Sequence, residues 1–175
     1  MNEVNTFNKE KFKAMIHYIV DKCGVKKNFG RTVLYKLLYF SEFNYFELYE
    51  KYIAHEDYKK YPMGPVPSHY FEVKDELISE NKIKEIPHKI DLGRIKYDCI
   101  SLTTPKVDVL SNAERDVIDD VIEKIGDMNA KEISEYSHKD MPWMATKDYE
   151  IIDYGFVFYR DDKYSVREYD IWFCF

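Results

Sequence analysis

Apolar residues in the first part of the chain recur with helical spacing. Phe12, Met15, Ile16, Ile19, Val20 and Cys23 follow i, i+3, i+4, i+7, i+8, i+11, one face of a helix from about Asn8 to Cys23. Asn8 suits the N-cap, and Gly24, in a left-handed conformation, is expected to end the helix. A second helix is expected from about Gly30 to Tyr52. Its segment from Val33 to Phe40 is apolar on nearly all sides, which marks a central helix with neighbours on several faces. Lys36 interrupts that segment. Either its stem lies along the helix and lifts the ammonium to solvent, or it forms an ion pair of functional weight.

After a short expected strand over Asp57–Tyr61 the pattern breaks. Pro62-Met63-Gly64-Pro65-Val66-Pro67-Ser68 carries three prolines, each fixing φ and restricting its predecessor, so irregular chain is expected there. Gly64 supplies the freely turning position and Ser68 an N-cap for a third helix over His69–Glu80. A β-hairpin with arms Lys82–Ile86 and Ile95–Leu102 follows, with Ile95, Tyr97 and Cys99 on one face. Ser111-Asn112-Ala113-Glu114 and Asn129-Ala130-Lys131-Glu132 are capping boxes. The first opens a helix striped by Val117, Ile118, Val121, Ile122 and Ile125 and closed by Gly126. The second opens a helix carrying Ile133 and Tyr136 that stops near His138. Met141-Pro142-Trp143 reads as a turn or helical start. From Tyr149 the chain is aromatic; it reads either as two extended pieces, from Glu150 to Tyr159 and from Tyr164 to Phe175 across a turn at Arg160–Lys163, or as buried helix, which short apolar runs do not separate by periodicity alone. The pattern gives an α+β, mainly α fold in a single domain over residues 1–175, with a central apolar helix and a small antiparallel hairpin.

Composition narrows the function classes. Twenty-six Lys and Arg against 32 Asp and Glu leave a net charge of −6, which disfavours a globally basic nucleic-acid binder. Cys23, Cys99 and Cys174 are odd in number and widely spaced, so neither a disulfide framework nor a zinc site is expected, and a reducing compartment fits. No segment reaches the ~20 apolar residues of a membrane helix, so a cytoplasmic protein without membrane contact is expected.

Candidate chemistry is sparse. There is no Gly-rich phosphate loop, nucleophile elbow or His-based metalloprotease motif, and no cofactor or metal is expected. His138 and Asp140 converge on a metal or a hydrolytic centre only if they lie in irregular chain; otherwise His138 is a helix C-terminal residue favoured by the dipole. The Asp119-Asp120 and Asp161-Asp162 pairs read as a solvated face and a turn. An enzyme is therefore not the expectation, and no catalytic residue is assigned. The anomaly is aromatic density: 16 Tyr and 11 Phe, with twelve aromatics between Tyr35 and Phe71. The second helix has rings at too many angles for one small domain to bury all of them, which leaves a division between core and partner surface.

Lys36-Leu37-Leu38-Tyr39-Phe40-Ser41-Glu42-Phe43 and Tyr61-Pro62-Met63-Gly64-Pro65-Val66-Pro67-Ser68 resemble the two central motifs of the Panacea domain, the SocA-like antitoxin and phage-associated GepA-like family. Ser137-His138-Lys139-Asp140-Met141-Pro142-Trp143 is similar to a later element of that family, and Phe158-Tyr159-Arg160-Asp161 to its tail. The resemblance spans about Phe12 to Arg167. It implies an antitoxin that binds and neutralises a partner toxin by direct complex formation, or alternatively a proteolytic adaptor that hands its toxin to an AAA+ protease. Some members carry a DNA-binding domain. The motifs here leave no room for one, so direct DNA binding is not expected. An acidic body suits a basic partner, and a rigid proline turn loses little entropy on binding. The partner-binding surface is placed at Tyr39, Tyr58, Tyr61, Met63, Pro65 and Trp143. Lys36, Gly64, Pro67, Ser68, His138 and Pro142 are read as structural motif residues. The alternative is that Pro62–Pro67 and Trp143 form an architectural lock.

Overall fold

The computed structural model describes residues 6–169; Cys174 and the terminal aromatic run beyond Tyr169 lie outside them. Six helices and two two-stranded antiparallel sheets are described. They are α1 (Lys9–Cys23), α2 (Arg31–Tyr49), β1 (Tyr58–Tyr61), β2 (Gly64–Pro67), α3 (Tyr70–Ser79), β3 (Ile83–Lys89), β4 (Ile95–Ser101), α4 (Asn112–Ile125), α5 (Ala130–Ser137) and α6 (Met141–Ala145), followed by a 3-10 segment, Tyr154–Tyr159. The fold class is α+β, mainly α.

The core is built around α2, which packs against α1, α4, α5, β2, β4 and the 3-10 segment. A helix so surrounded is covered on nearly all sides: fourteen of its residues are buried, among them the polar Lys36, Ser41, Glu42, Asn44 and Glu47. That resolves most of the aromatic excess. Of the twelve rings between Tyr35 and Phe71, Tyr35, Tyr39, Phe40, Phe43, Tyr45, Tyr58 and Tyr70 are buried. They pack ring on ring: Tyr39 on Phe43 with centroids 4.2 Å apart, Phe43 stacked on Tyr154 at 4.0 Å. Neighbours on every side, including the late 3-10 segment, accommodate more angles than a single stripe.

The capping chemistry follows the sequence. The Asn8 side chain accepts from Lys11 N–H at 3.0 Å. The Ser111 hydroxyl accepts from Glu114 N–H at 3.1 Å while Glu114 accepts from Ser111 N–H at 2.9 Å, and Asn129 and Glu132 repeat the arrangement.

Several expectations are corrected. Gly24 is right-handed, with φ −59; glycine is needed there because a Cβ would lie 2.5 Å from the Cys99 carbonyl oxygen. The second helix ends at Tyr49, where Glu50 takes the left-handed position with φ 53. Ser68 is exposed and does not cap α3. His69 is the capping residue, and its N–H is accepted by the buried carboxylate of Glu56 at 3.1 Å, which also accepts from Asp57 N–H. Among the described residues of the tail, Ile151 alone bridges to a strand and Tyr154–Tyr159 is 3-10 chain; the second expected extended piece lies in part beyond Tyr169, outside them.

The largest correction concerns the proline segment, which forms regular β structure. β2 pairs with β1 in the register Tyr58↔Pro67, Lys59↔Val66, Lys60↔Pro65, Tyr61↔Gly64. Pro65 and Pro67 stand two apart, so their missing N–H groups share one edge and Gly64 and Val66 keep the edge that faces β1. The far edge of β1 confirms this parity. Lys60 N–H donates to Glu150 O at 3.0 Å, and the Lys60 and Tyr58 carbonyls accept from Tyr149 and Ile152 N–H. The result is a single ribbon in which β1 lies between β2 and residues 149–152. Within the turn Met63 keeps negative φ, and the positive φ that a tight hairpin requires falls on Gly64, at +105.

Candidate partner-binding site

Gly64 joins three stretches of sequence. A Cβ on it would collide with the Ser137 hydroxyl at the end of α5 and lie 2.5 Å from Lys36 Cε on α2. The bare glycine thus lets the Lys36 stem and the end of α5 meet against β2. Replacing Gly64 with Ala combines strain at positive φ with overpacking. We expect a loss on the order of 3 kcal/mol in urea unfolding, partly recovered when Ser137→Ala removes the clashing hydroxyl.

Lys36 follows neither reading taken from the sequence. Its side chain neither reaches solvent nor meets a carboxylate: it is 1% exposed, and the Pro65 carbonyl oxygen lies 3.4 Å from Nζ. Burial alone drives the amine down to about 7. Beside it, His138 closes α5 with φ −67 and stacks on Trp143 at 4.4 Å. Burial holds the His138 imidazole below its ordinary value, with Lys36 and Lys60 adding to the effect. The other face of the indole carries the Lys60 ammonium, 4.0 Å from the ring centroid, whose Nζ donates to Thr146 O at 2.9 Å. Trp143 is half-buried and Pro142 buried, so the Ser137–Trp143 segment is clamped between α2 and the ribbon.

Asp140 does not join His138. Its carboxylate turns inward, where Arg160 Nε and Nη2 donate to it at 2.8 and 2.9 Å and Tyr39 OH at 2.8 Å. Arg160 Nη1 donates to Asn44 at 2.8 Å and stands 3.5 Å from Glu47. Arg160, read from the sequence as a turn residue, is the hub of a buried polar cluster. The Glu47 carboxylate in turn accepts from Val166 and Arg167 N–H at 2.8 and 3.1 Å, holding the tail. Among the described residues no group of three or more His, Cys, Asp or Glu is arranged to hold a metal ion. Burial raises the thiols of Cys23 and Cys99, the latter to about 12.

The proposed contact residues separate by burial. Tyr39 and Tyr58 are fully buried and Pro65 is buried, so none of them presents area to a partner. Tyr58 points inward with Ile152, by strand alternation, and Tyr39 is held by Asp140. Pro67 is also buried. Tyr61 and Met63 are exposed. The same alternation places Lys59, Tyr61 and Ile151 on the outer face of the ribbon. The Tyr61 and Tyr149 rings meet edge to face at 5.4 Å, and Tyr149 is 62% exposed. Tyr61, Tyr149 and Ile151 therefore form an apolar ledge, with Met63 exposed in the adjoining turn. Tyr149 and Ile151 were not among the expected contact residues. The aromatic run from Tyr149 was the available signal, but its pairing with β1 is a long-range feature.

No helix among the described residues is long and apolar enough to cross a membrane. Residues 34–144 match the family model described as antitoxin SocA-like, Panacea domain. No curated protein and no solved structure matches the chain. The matched span encloses Lys36, Gly64, Ser137, His138 and Trp143, the residues that meet around β2.

Proposed function

The chain belongs to the SocA-like antitoxin family of the Panacea domain, and on that premise we propose that it binds a partner toxin protein and neutralises it by direct complex formation, using the ledge of Tyr61, Tyr149 and Ile151 with Met63 beside it. The observation that carries this reading is the ledge itself. Exposed apolar and aromatic side chains gather at the outer face of a short ribbon whose inner face is locked to the core through Tyr58 and Ile152. A contiguous exposed apolar surface on a rigid support is the usual form of a protein-binding site. Tyr and Met supply contact area at low entropic cost, and the ribbon has little freedom to lose on binding. The chain's net charge of −6 favours a basic partner. Binding rather than catalysis is the proposed activity.

Co-expression with the product of the adjacent reading frame tests the proposal. The double variant Tyr61→Asp/Met63→Asp should fold as the parent does, because both positions are exposed, and should lose rescue of growth. The complex should weaken by at least about 2 kcal/mol, the scale of a central interface residue. Rescue that survives both charges would move the interface elsewhere. Toxin half-life separates mechanisms: an unchanged half-life with lost toxicity supports occlusion, whereas a half-life shortened by this chain indicates delivery to an AAA+ protease.

A further inference from the structure

The ledge is too small to hold a toxin by itself. Tyr61, Met63, Tyr149 and Ile151 are between 40 and 62% exposed. A stable interface takes about 800 Å² from each partner, and these four side chains offer roughly 450 Å². If the ledge binds the toxin, the contact surface must continue past it, and Met63 marks the direction.

Met63 also lines a groove of about 550 Å³ between the start of α2 and the hairpin of β3 and β4. The hairpin side of the groove carries the exposed Ile90 and Ile95. Between them in sequence, at the hairpin tip, Leu92 is 95% exposed. It holds a left-handed φ of 62, a conformation that costs a branched apolar residue more than glycine or asparagine. A large apolar side chain kept at a strained turn and open to solvent is area that a partner can bury. These three side chains add roughly 350 Å², which brings the whole to about the area that a stable interface takes.

Two observations say what enters the groove. The first is its lack of free orienting groups. Arg31 is committed to Glu85 through bonds of 2.7 and 2.6 Å, and Lys96 to Asp98 and to the Lys27 carbonyl oxygen. Among the described residues, none of the buried side-chain polar atoms without a partner belongs to the groove wall. A small ligand would find little there to fix its orientation. An added strand is excluded too, because the Gly30 backbone covers the edge of β4: a Cβ on Gly30 would lie 3.3 Å from the Tyr97 carbonyl oxygen. What fits is a set of side chains projecting from a folded surface. The second observation is charge. Arg94 lines the groove and has no carboxylate partner among the described residues; its Nε has the Asp91 carbonyl oxygen at 3.5 Å. That uncompensated charge calls for a carboxylate from outside.

We propose that one continuous toxin surface spans the ledge, Met63 and this groove. It places apolar side chains against Met63, Ile90 and Ile95 and a carboxylate against Arg94, and it covers Leu92 at the hairpin tip. In a partner otherwise drawn to an acidic chain, that carboxylate sets the orientation of docking. The inference rests on the toxin-binding reading, and its test separates the two.

The test uses the full chain and the purified product of the adjacent reading frame, with affinity read by titration calorimetry. Tyr61→Asp reports on the ledge alone. Ile95→Asp and Arg94→Glu report on the groove, and each should weaken the complex about tenfold or more. Both positions are exposed, so both variants should melt as the parent does. In the complex of the unaltered chain, the amides of residues 90–95 should gain protection from hydrogen exchange, a readout that needs no variant. Parent affinity in both groove variants with affinity lost in Tyr61→Asp, or a complex without that protection, would overturn this inference and leave the toxin reading standing. Parent affinity in all three variants, or no complex with the parent, would overturn both. Loss in the groove variants alone would break the continuous surface and remove the ledge from the interface. Tighter binding by Arg94→Glu would put a toxin cation opposite Arg94 and overturn the charge assignment. A chain that dimerises alone, and ceases to in Ile95→Asp, would give the groove to a second copy instead.

Discussion

Arg160→Met is expected to lower the unfolding free energy by about 3–5 kcal/mol, the cost of leaving buried carboxylates without their cation. The Arg160 side chain is fully buried and, among the described residues, is the only guanidinium that reaches the carboxylates of Asp140 and Glu47. Without it Asp140 retains the Tyr39 hydroxyl, and Glu47 retains the amides of the tail. For a chain of this size the melting temperature should fall by roughly 10 °C. The double variant Asp140→Asn/Arg160→Met separates the lost pair from lost packing. Once the stranded carboxylate is neutral, a substantial part of the deficit should return. If the double variant is as unstable as the sum of the singles, the electrostatic account fails. Function should follow stability, because Asp140 begins α6 and sets the Ser137–Trp143 segment on α2. An interface role for Arg160 would instead show as lost rescue in a protein that melts normally.

The elements with local causes were legible in the sequence. Caps at Asn8, Ser111 and Asn129 and the stripe of α4 come from contacts three or four residues apart, and the structure keeps them. The two central motifs were legible as a family pattern. What escaped depends on pairing across the chain. Nothing near Pro65 and Pro67 reveals that β1 lies opposite with its unbonded positions aligned to them. Nothing near Tyr149 reveals that residues 149–152 complete the ribbon. Arg160 sits in a run, Arg160-Asp161-Asp162-Lys163, whose composition reads as a turn, and the groups that bury it come from α2 and the α5–α6 junction. The candidate surface was therefore half legible. Tyr61 and Met63 were found because turn tips are exposed. Tyr39 and Tyr58 were misplaced because a period-2 face and a helix surrounded on all sides bury rings that composition alone leaves free.

Lys36→Met should stabilise the protein at neutral and acidic pH and lose that advantage in alkali. The folded amine is held near 7, against 10.5 in the unfolded chain, so folding releases a proton between those values. The unfolded state binds more protons throughout that window, and the stability of the parent should rise with pH across it. Below pH 7 the penalty is complete, and a shift from 10.5 to about 7 corresponds to about 5 kcal/mol. Methionine matches the lysine stem in volume and carries no charge to desolvate, so the variant should lack this slope. Its one polar loss is the 3.4 Å contact to Pro65 O, which is long for a hydrogen bond. Other buried groups titrate in the same range. Burial pushes the Glu42 carboxyl up to about 7, so its contribution falls as pH rises from 4.5 to 7, and burial raises the hydroxyls of Tyr39, Tyr58, Tyr70 and Tyr154. These act on parent and variant alike, whereas the His138 imidazole loses the push of Lys36 in the variant, so the two urea midpoints are compared in a His138→Gln background, where their difference isolates Lys36. That difference should be largest at pH 5–7 and shrink toward pH 10.5; a flat difference would show that the amine is hydrated and charged in the folded protein. Toxin rescue decides what the lysine is for. A variant that is more stable yet fails to rescue would assign Lys36 to the working state of the antitoxin, in which its proton and the seating of β2 on α2 change together. A variant that is more stable and rescues fully would assign it to packing at Gly64.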